Sequence, residues 1–500
     1  VDTTDVLVVG AGPTGLTLAC GLLLHGVSVR VVDRAPGPAT TSRANFLHAR
    51  GSEVLDRLGA LGALPDTSLR ALRITTYLGD RPILELRFGD PEFRTAAPPM
   101  VVSQAEIEAT LRARVAELGA TVEWRRGLVD LTQQSDGVIA RLGDGRSVRA
   151  QWVVGCDGTA STTRTRTGIG FPGVKLTERF LLADVHLDWD LDRSGTTGWI
   201  HPGGLVGAMP MPDPDGRGDL WRLFAYDPGI RQRPEEQEVL ERFRRILPER
   251  TGRTAEFGAA EWVSLFSVHR RLADTYRRDR VLLAGDAAHA HAPFGGQGML
   301  TGIGDAENLA WQLALVLQGH ADQRLIDTYE AERRPLATGV LRGTSAVTRI
   351  NIASNPAGRF LRDQVIVRVV GLPTVQRLAT YAASQLWVSY RKGPLGGGGP
   401  RPRPGDRIGD LPCARADGTP TRLHAELGDR WAVLAPKGAI VDSTRNIANK
   451  LGGRLCVLHY DRAPVMLVRP DGHLAWRGNL DDAMRMDEWL SNALSQGRTR

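Results

Sequence analysis

The stretch DVLVVGAGPTGLTLACGLLLHGVSVRVVDR, Asp5 to Arg34, decides the fold. Its first six residues are an apolar run with the composition of a buried parallel strand. Gly10-Ala11-Gly12-Pro13-Thr14-Gly15 follows without a gap. A helical pattern then runs from Pro13 to His25, with proline early, where a helix tolerates it. A second apolar run, Val27 to Val32, ends at Asp33 and Arg34. Strand, glycine turn, helix, strand and acid, in that order, match a dinucleotide-binding unit. The first glycine makes the turn, the second admits a pyrophosphate, and the third lets helix pack on strand. Asp33 is spaced to accept from a ribose hydroxyl. That acid suits NAD and the adenosine half of FAD alike, and a glycine turn that serves packing alone is the alternative.

Far along the chain stands a second glycine signature. Val281 to Ile303 reads VLLAGDAAHAHAPFGGQGMLTGI. A short apolar strand runs into Gly285-Asp286, and Gly295-Gly296-Gln297-Gly298 opens a helix. Such a helix start offers unpaired N–H groups and a partial positive charge to an anion, or to a ring that becomes anionic. A third motif, Cys156-Asp157-Gly158 with Ser161 and Arg164 behind it, follows the apolar run Ala150 to Gly155. These separated segments are expected to grip one large cofactor.

Composition narrows the class. The chain is 42% apolar and 24% charged over 500 residues, which is ordinary globular material of several domains. No apolar run is long enough to span a membrane, and with a strand so early no signal peptide is expected. Only four of the 63 basic residues are lysine, an arginine skew of the GC-rich, actinobacterial kind. Bases are dispersed among acids, which argues against nucleic acid as a partner. The four cysteines (Cys20, Cys156, Cys413, Cys456) show no CxxC spacing and read as buried free thiols. A cytoplasmic protein is expected.

The remaining pattern alternates helix and strand. A helix is expected over Ala49–Leu61, strands within Arg73–Phe93, and a helix to Leu118 behind the capping box Ser103-Gln104-Ala105-Glu106. Strands are expected at Val122–Leu131 and Val138–Leu142. The span Phe180–Val268 alternates aromatic and aliphatic residues between turns and reads as sheet. Long helices are expected from Gly298 to Leu317 and from Tyr329 to Ile350, and another over Ile366–Val388 with a break at Pro373. GPLGGGGPRPRPG, Gly393 to Gly405, reads as a linker. Beyond it lies a small α/β piece.

Taken together, GAGPTG with Asp33-Arg34, Cys156-Asp157-Gly158, and Gly285-Asp286 with Pro293 and GGQG resemble the class A, single-component FAD-dependent aromatic monooxygenases. That family includes para-hydroxybenzoate and phenol hydroxylases. Within it the chain is most similar to bacterial hydroxylases that tailor aromatic polyketides. The resemblance implies an α/β fold: a Rossmann-like FAD-binding domain of the glutathione-reductase type (1–175 and 270–345) with an inserted sheet-rich substrate domain (176–269 plus about 73–100). A helical connection (346–395) and a thioredoxin-like C-terminal domain (396–500) complete it.

The resemblance also implies roles. Gly10, Gly12, Pro13, Thr14, Gly15, Asp33 and Arg34 would hold the adenosine and pyrophosphate end. Asp286, after Gly285, would bond the ribityl chain. Gly296, Gly298 and Met299 would turn backbone N–H groups to the flavin pyrimidine edge, and Pro293 would lie on the ring face. Gln104 matches a glutamine that contacts FAD, though it is also the first residue of a capped helix. Arg43 matches an arginine on a mobile flavin loop, with a solvated side chain as the alternative. Arg112 is a further cofactor candidate, and Asp157 would help bind FAD and a transient nicotinamide. Leu300 departs from the family, which carries asparagine there.

No second glycine fingerprint serves NADH or NADPH, as expected of a reductant that docks transiently. The implied reaction consumes NAD(P)H and dioxygen and hydroxylates a phenolic polyketide through a C4a-hydroperoxyflavin. Baeyer–Villiger or epoxidising chemistry, and a flavin-binding partner without oxygenase activity, remain alternatives. No catalytic base is identified. Trp199, His201, Trp221 and Phe224 are candidates for the substrate cavity, against a plain core role. His289 and His291 lack the further ligands of a zinc site, so no metal is expected. Neither is a membrane partner, and the chain is expected to be a monomer or homodimer.

Overall fold

The computed structural model describes residues 2–40, 44–213, 215–227, 229–230, 235–290, 296–351, 369, 371–437, 441–461, 464–479 and 482–495. Val6, Leu7 and Val8 have no solvent exposure, as a strand covered on both faces requires. The strand they belong to, Asp2–Val9, lies between Ser147–Gly155 and Val29–Val32 and runs parallel to both. Val281–Leu283 adds to the far side of Ser147–Gly155, and Val122–Glu123 to the far side of Val29–Val32, again in parallel. Arg277–Arg278 closes one edge, and the hairpin Leu128–Gln134 with Gly137–Leu142 hangs from Ser147–Gly155. Helices Pro13–Leu24 and Gln297–Leu317 pack together on this sheet through Leu16, Ala19, Leu22, Leu309, Ala310 and Leu313.

Between Gly155 and Arg277 the chain leaves the first sheet and builds most of a second. Its strands lie in the order His289–Ala290, Glu256–Leu272, Gly173–Asp188, Leu220–Tyr226, Val206–Pro210, Gly195–Ile200, Arg73–Leu78, Arg81–Arg87. Alternation divides this sheet into two faces. Leu181, Ala183, Val185, Trp221 and Leu223 pack under helix Glu236–Thr251 through Val239, Phe243, Ile246 and Leu247. Met209, on the opposite face, joins Phe46 and Phe88.

A third sheet lies in the C-terminal part. Its order is Pro420–Arg422, Pro412–Arg415, Leu455–His459, Trp431–Ala435, Val465–Val468, Leu474–Gly478. Only Trp431–Ala435 and Leu455–His459 pair in parallel. Helices Val441–Lys450 and Ala483–Leu494 cover it through Ile447, Met486 and Leu490. Trp431 meets Trp311 of helix Gln297–Leu317 edge-on, with ring centroids 5.3 Å apart.

Three expectations change. The Gly393–Gly405 stretch is folded rather than a free tether. Leu395 is buried with the C-terminal core, Gly405 bonds Tyr390 and Leu474 through its backbone, and a side chain at Gly405 would strike Arg391. Glycine there serves close approach, a use that composition does not distinguish from flexibility. The helical stretch expected over Ile366–Val388 is interrupted at Gly371–Leu372 and restarts at Pro373, the expected break, but the new helix, Pro373–Ala383, stops short of Ser384–Val388; 366–368 and 370 are outside the described residues. The helix expected over Ala49–Leu61 ends at Arg57. Among the described residues, no helix is long and apolar enough to cross a membrane.

Candidate active site

The glycine turn sits at the carboxyl ends of the parallel strands, where open α/β sheets take their ligands. Asp33 folds back on it: one carboxylate oxygen accepts from the Ala11 N–H and the other from the Ala35 N–H, both at 2.7 Å. Gly10 has φ +108°, and a side chain there would strike the Cys156 carbonyl. Gly12 differs, because nothing lies within 4 Å of where its Cβ would stand. Behind it, helix Pro13–Leu24 begins with no side-chain cap and no acid in its first turn. A cleft of about 530 Å³ opens here, lined by Gly10, Asp33, Arg34, Leu128, Asp157 and Thr162 among others.

Asp157 is engaged by its own loop. Ser161 donates its hydroxyl to one oxygen at 2.5 Å, and Thr163 donates its N–H and hydroxyl to the other. Arg164, from the same turn, donates to the Ala287 carbonyl at 2.8 Å and so ties this loop to the second glycine signature. Burial pushes the Cys156 thiol well above its ordinary range, which suits a packing residue and not a nucleophile.

The two glycine signatures interlock at Thr14. Gly285, with φ +60°, has its Cβ position 2.5 Å from the Thr14 hydroxyl, and a side chain at Gly302 would strike the same atom. The Gly285 N–H donates to Asp305 at 3.0 Å. Asp305 also bonds His289 Nε2 at 2.6 Å and takes Arg333 Nε at 2.7 Å. All three side chains are buried. Burial works to raise the Asp305 carboxyl, but His289 and Arg333 overcome it and hold it at about 2. Asp286 stands exposed while every other residue of 281–290 is buried.

Helix Gln297–Leu317 starts like the first, with no side-chain cap and no acid in its opening turn. Gly296 has φ +63°, and no atom lies within 4 Å of the Cβ position of Gly298. Met299 is half-buried against the core. Leu300 is buried, its Cδ1 3.4 Å from the Cβ position of Gly51. Its side chain therefore packs on helix Ala49–Arg57. Arg43, His291 and Pro293 lie outside the described residues.

Helix Gln104–Glu117 borders the same region. Ser103 caps it by accepting the Glu106 N–H at 3.2 Å. Gln104 donates to Glu108 at 2.9 Å. Burial raises the Glu108 carboxyl, which feels both Arg112 and Asp33. Arg112 Nη1 is buried and has no hydrogen-bond partner among the described residues. A buried guanidinium nitrogen left unpaired costs free energy unless a ligand meets it.

The candidate cavity residues divide between the two faces of the second sheet. Trp199 and Trp221, 4% and 1% exposed, lie in the core under helix Glu236–Thr251. Of the two readings open to them, cavity or core, these two take the core; strand alternation turns them away from the opposite face. Phe224 is on the opposite face, over Gly207 and beside Ile200 and Leu205. His201 occupies a turn and accepts the Gly203 N–H at 3.0 Å.

Sequence reasoning missed Asp305 and Arg333. The available signal is an acid inside an apolar stripe: Asp305 shares its helix face with the buried Leu309 and Leu313.

Two uncapped helix starts, each with an unobstructed glycine, and a half-buried arginine with one buried nitrogen unpartnered among the described residues fit a long anionic dinucleotide. A parallel sheet carrying such a two-ended site defines a flavoprotein-type nucleotide-binding protein. The chain belongs to the family described as FAD binding domain, which matches residues 3–344, and FAD is its cofactor. Its relatives make it a flavoprotein monooxygenase. A 6-methylpretetramide 4-monooxygenase of Streptomyces rimosus is 36% identical, covering 95% of this chain and 91% of the relative. The solved anhydrotetracycline hydroxylase of Streptomyces rimosus is 31% identical with a TM-score of 0.78, covering 97% and 98% of the two chains. A solved Diels–Alderase of pyrroindomycin biosynthesis is 29% identical, with a TM-score of 0.74 and 96% of each chain covered.

Proposed function

We propose that this protein hydroxylates an aromatic polyketide with NAD(P)H and dioxygen, in the biosynthesis of an antibiotic-type secondary metabolite. The observation that carries the reading is the pair of uncapped, glycine-opened helix starts joined through Thr14. The substrate class rests on the tetracycline-pathway names of two relatives. When bound, FAD supplies the electron transfer and the activation of dioxygen.

In this reading the chain does the binding and aiming. Gly12 and the N–H groups of helix Pro13–Leu24 hold the pyrophosphate, with Pro13, Thr14 and Gly15 shaping the turn. Asp33 keeps lone pairs for a ribose after its two backbone bonds. Arg34, Gln104 and Arg112 flank that end. Asp286 bonds the ribityl chain, and Gly296, Gly298 and Met299 aim N–H groups at the ring's pyrimidine edge, where negative charge grows on reduction. Arg43, Asp157 and Pro293 keep the roles that the resemblance implies.

The substrate lies on the Phe224 face of the second sheet. Support comes from Phe46, which packs with Met209 of that face and whose Cβ is 4.0 Å from the Cβ position of Gly296. We assign 1–175 and 270–345 to the FAD domain, 176–269 plus about 73–100 to the substrate domain, and 346–395 to the helical connection. The mixed third sheet, with helices Val441–Lys450 and Ala483–Leu494 packed on one face, supports a thioredoxin-like assignment for 396–500. Four free cysteines suit a reducing, cytoplasmic setting.

The test is NAD(P)H oxidation by the purified yellow protein with a panel of aromatic polyketides under ¹⁸O₂. Substrate-stimulated oxidation and one labelled hydroxyl support hydroxylation; a labelled lactone points to Baeyer–Villiger insertion. A second reading, flavin binding without oxygenase activity, is favoured by Leu300 and by the likeness to a Diels–Alderase. Its mark is a product isomeric with its substrate and no NAD(P)H consumed.

A further inference from the structure

Two chains of buried charge leave the C-terminal piece, and both end at the flavin side of the site. In the first, Arg469 bonds Asp471 and both oxygens of Glu332, the latter at 2.7 and 2.9 Å. Asn308 donates to Glu332 at 2.7 Å. The next residue, Arg333, spreads its guanidinium over three acceptors: Asp305, the Thr301 carbonyl at 2.8 Å, and the Tyr390 hydroxyl at 2.9 Å. Tyr390 is held in turn by the C-terminal hairpin. Its ring lies 4.2 Å from that of His473 and 5.2 Å from the Arg469 guanidinium.

In the second chain, Glu53, fully buried, takes Arg407 and lies near Arg50 and His424. Arg50 donates to the Asp471 carbonyl at 2.8 Å and to Glu307 at 2.9 Å. Arg57 bonds Glu307 and His424. These charges clamp helix Ala49–Arg57, the one Leu300 packs on, between helix Gln297–Leu317 and the C-terminal piece.

Apolar packing joins surfaces as firmly as buried ions do, since the desolvation of a buried pair offsets most of its attraction. What a forked arginine adds is fixed geometry. Here the fixed groups are the Gly285 N–H, His289 and the first turn of helix Gln297–Leu317. We propose that the C-terminal piece is a positioning element for the flavin end of the site, acting through Tyr390, Arg333 and Asp305. This rests on the ring placement at Gly296–Met299 proposed above.

The test titrates FAD into full-length apoprotein, following flavin fluorescence and the visible absorption bands. Tyr390→Phe removes one oxygen, so the fold survives. Its FAD dissociation constant is expected to rise about five- to tenfold, with displaced flavin bands. Asp305→Asn moves the same readouts further. Lys450→Met removes an ion pair with Asp487 within the same piece and leaves both readouts unchanged. Gly298→Val reports on the ring placement itself. Should Gly298→Val perturb the flavin while Tyr390→Phe and Asp305→Asn match the wild type, the inference falls and the placement stands. Should Gly298→Val also match, both fall.

Discussion

The two ends of the proposed cofactor site are built in opposite ways. At the adenosine end, Asp33 holds the turn at Ala11 from within one strand–helix–strand unit. At the flavin end, Gly285 and His289 are held by Asp305, which is held by Arg333, which is held by Tyr390 beside the C-terminal hairpin. The first end is local and mostly backbone. The second draws on buried charges from across the chain. A local site depends little on the rest of the molecule, whereas a long-range one changes when distant parts do.

The largest expected effect breaks the local end alone. Gly12→Val should lower FAD affinity roughly hundredfold or more, because its side chain enters the space proposed for the pyrophosphate. That space is open, so the thermal midpoint of the apoprotein should barely move. Asp305→Ala sharpens the contrast by leaving Arg333 buried without its carboxylate. Urea unfolding should report a loss of about 3–5 kcal/mol, and FAD affinity should fall with it.

Acid should find the long-range junctions first. Burial pushes His424 down to about 3, and His473 and His25 to about 4. All three lie where the C-terminal piece meets the rest; Arg454 donates to the His25 carbonyl at 2.7 Å. A histidine kept neutral in the fold supports stability fully above about pH 6.5. That support is lost as pH falls toward the folded value, because only the unfolded state then gains the proton. Between pH 7.5 and 5 each histidine should remove about 2 kcal/mol. His424→Gln should flatten the profile by its share, which urea titrations at several pH values would read. The smallest effect is Arg112→Met, a several-fold weaker FAD affinity with unchanged apoprotein stability, measured by the same titration.

The contrast explains what the sequence disclosed. Gly10, Gly12, Gly15 and Asp33 were legible because the spacing of one strand–helix–strand unit dictates their geometry. The parallel strands and the capped helix at Ser103 were legible for the same local reason. Asp305 and Arg333 were not, since their partners meet only in three dimensions. For Trp199 and Trp221 the sequence left cavity and core both open, because alternation separates two faces without saying which one meets the cofactor. The Gly393–Gly405 stretch misled because glycine serves close packing and flexibility equally.

The most direct test of the two-ended site is competition by ADP, the adenosine half of the cofactor, against FAD. Wild type, Gly12→Val and Tyr390→Phe would be compared. The account predicts that ADP competes equally well in wild type and Tyr390→Phe and is lost in Gly12→Val, while FAD affinity falls in both variants. If Tyr390→Phe weakens ADP as much as FAD, or if Gly12→Val keeps ADP, the division of the site into a local and a long-range end is contradicted.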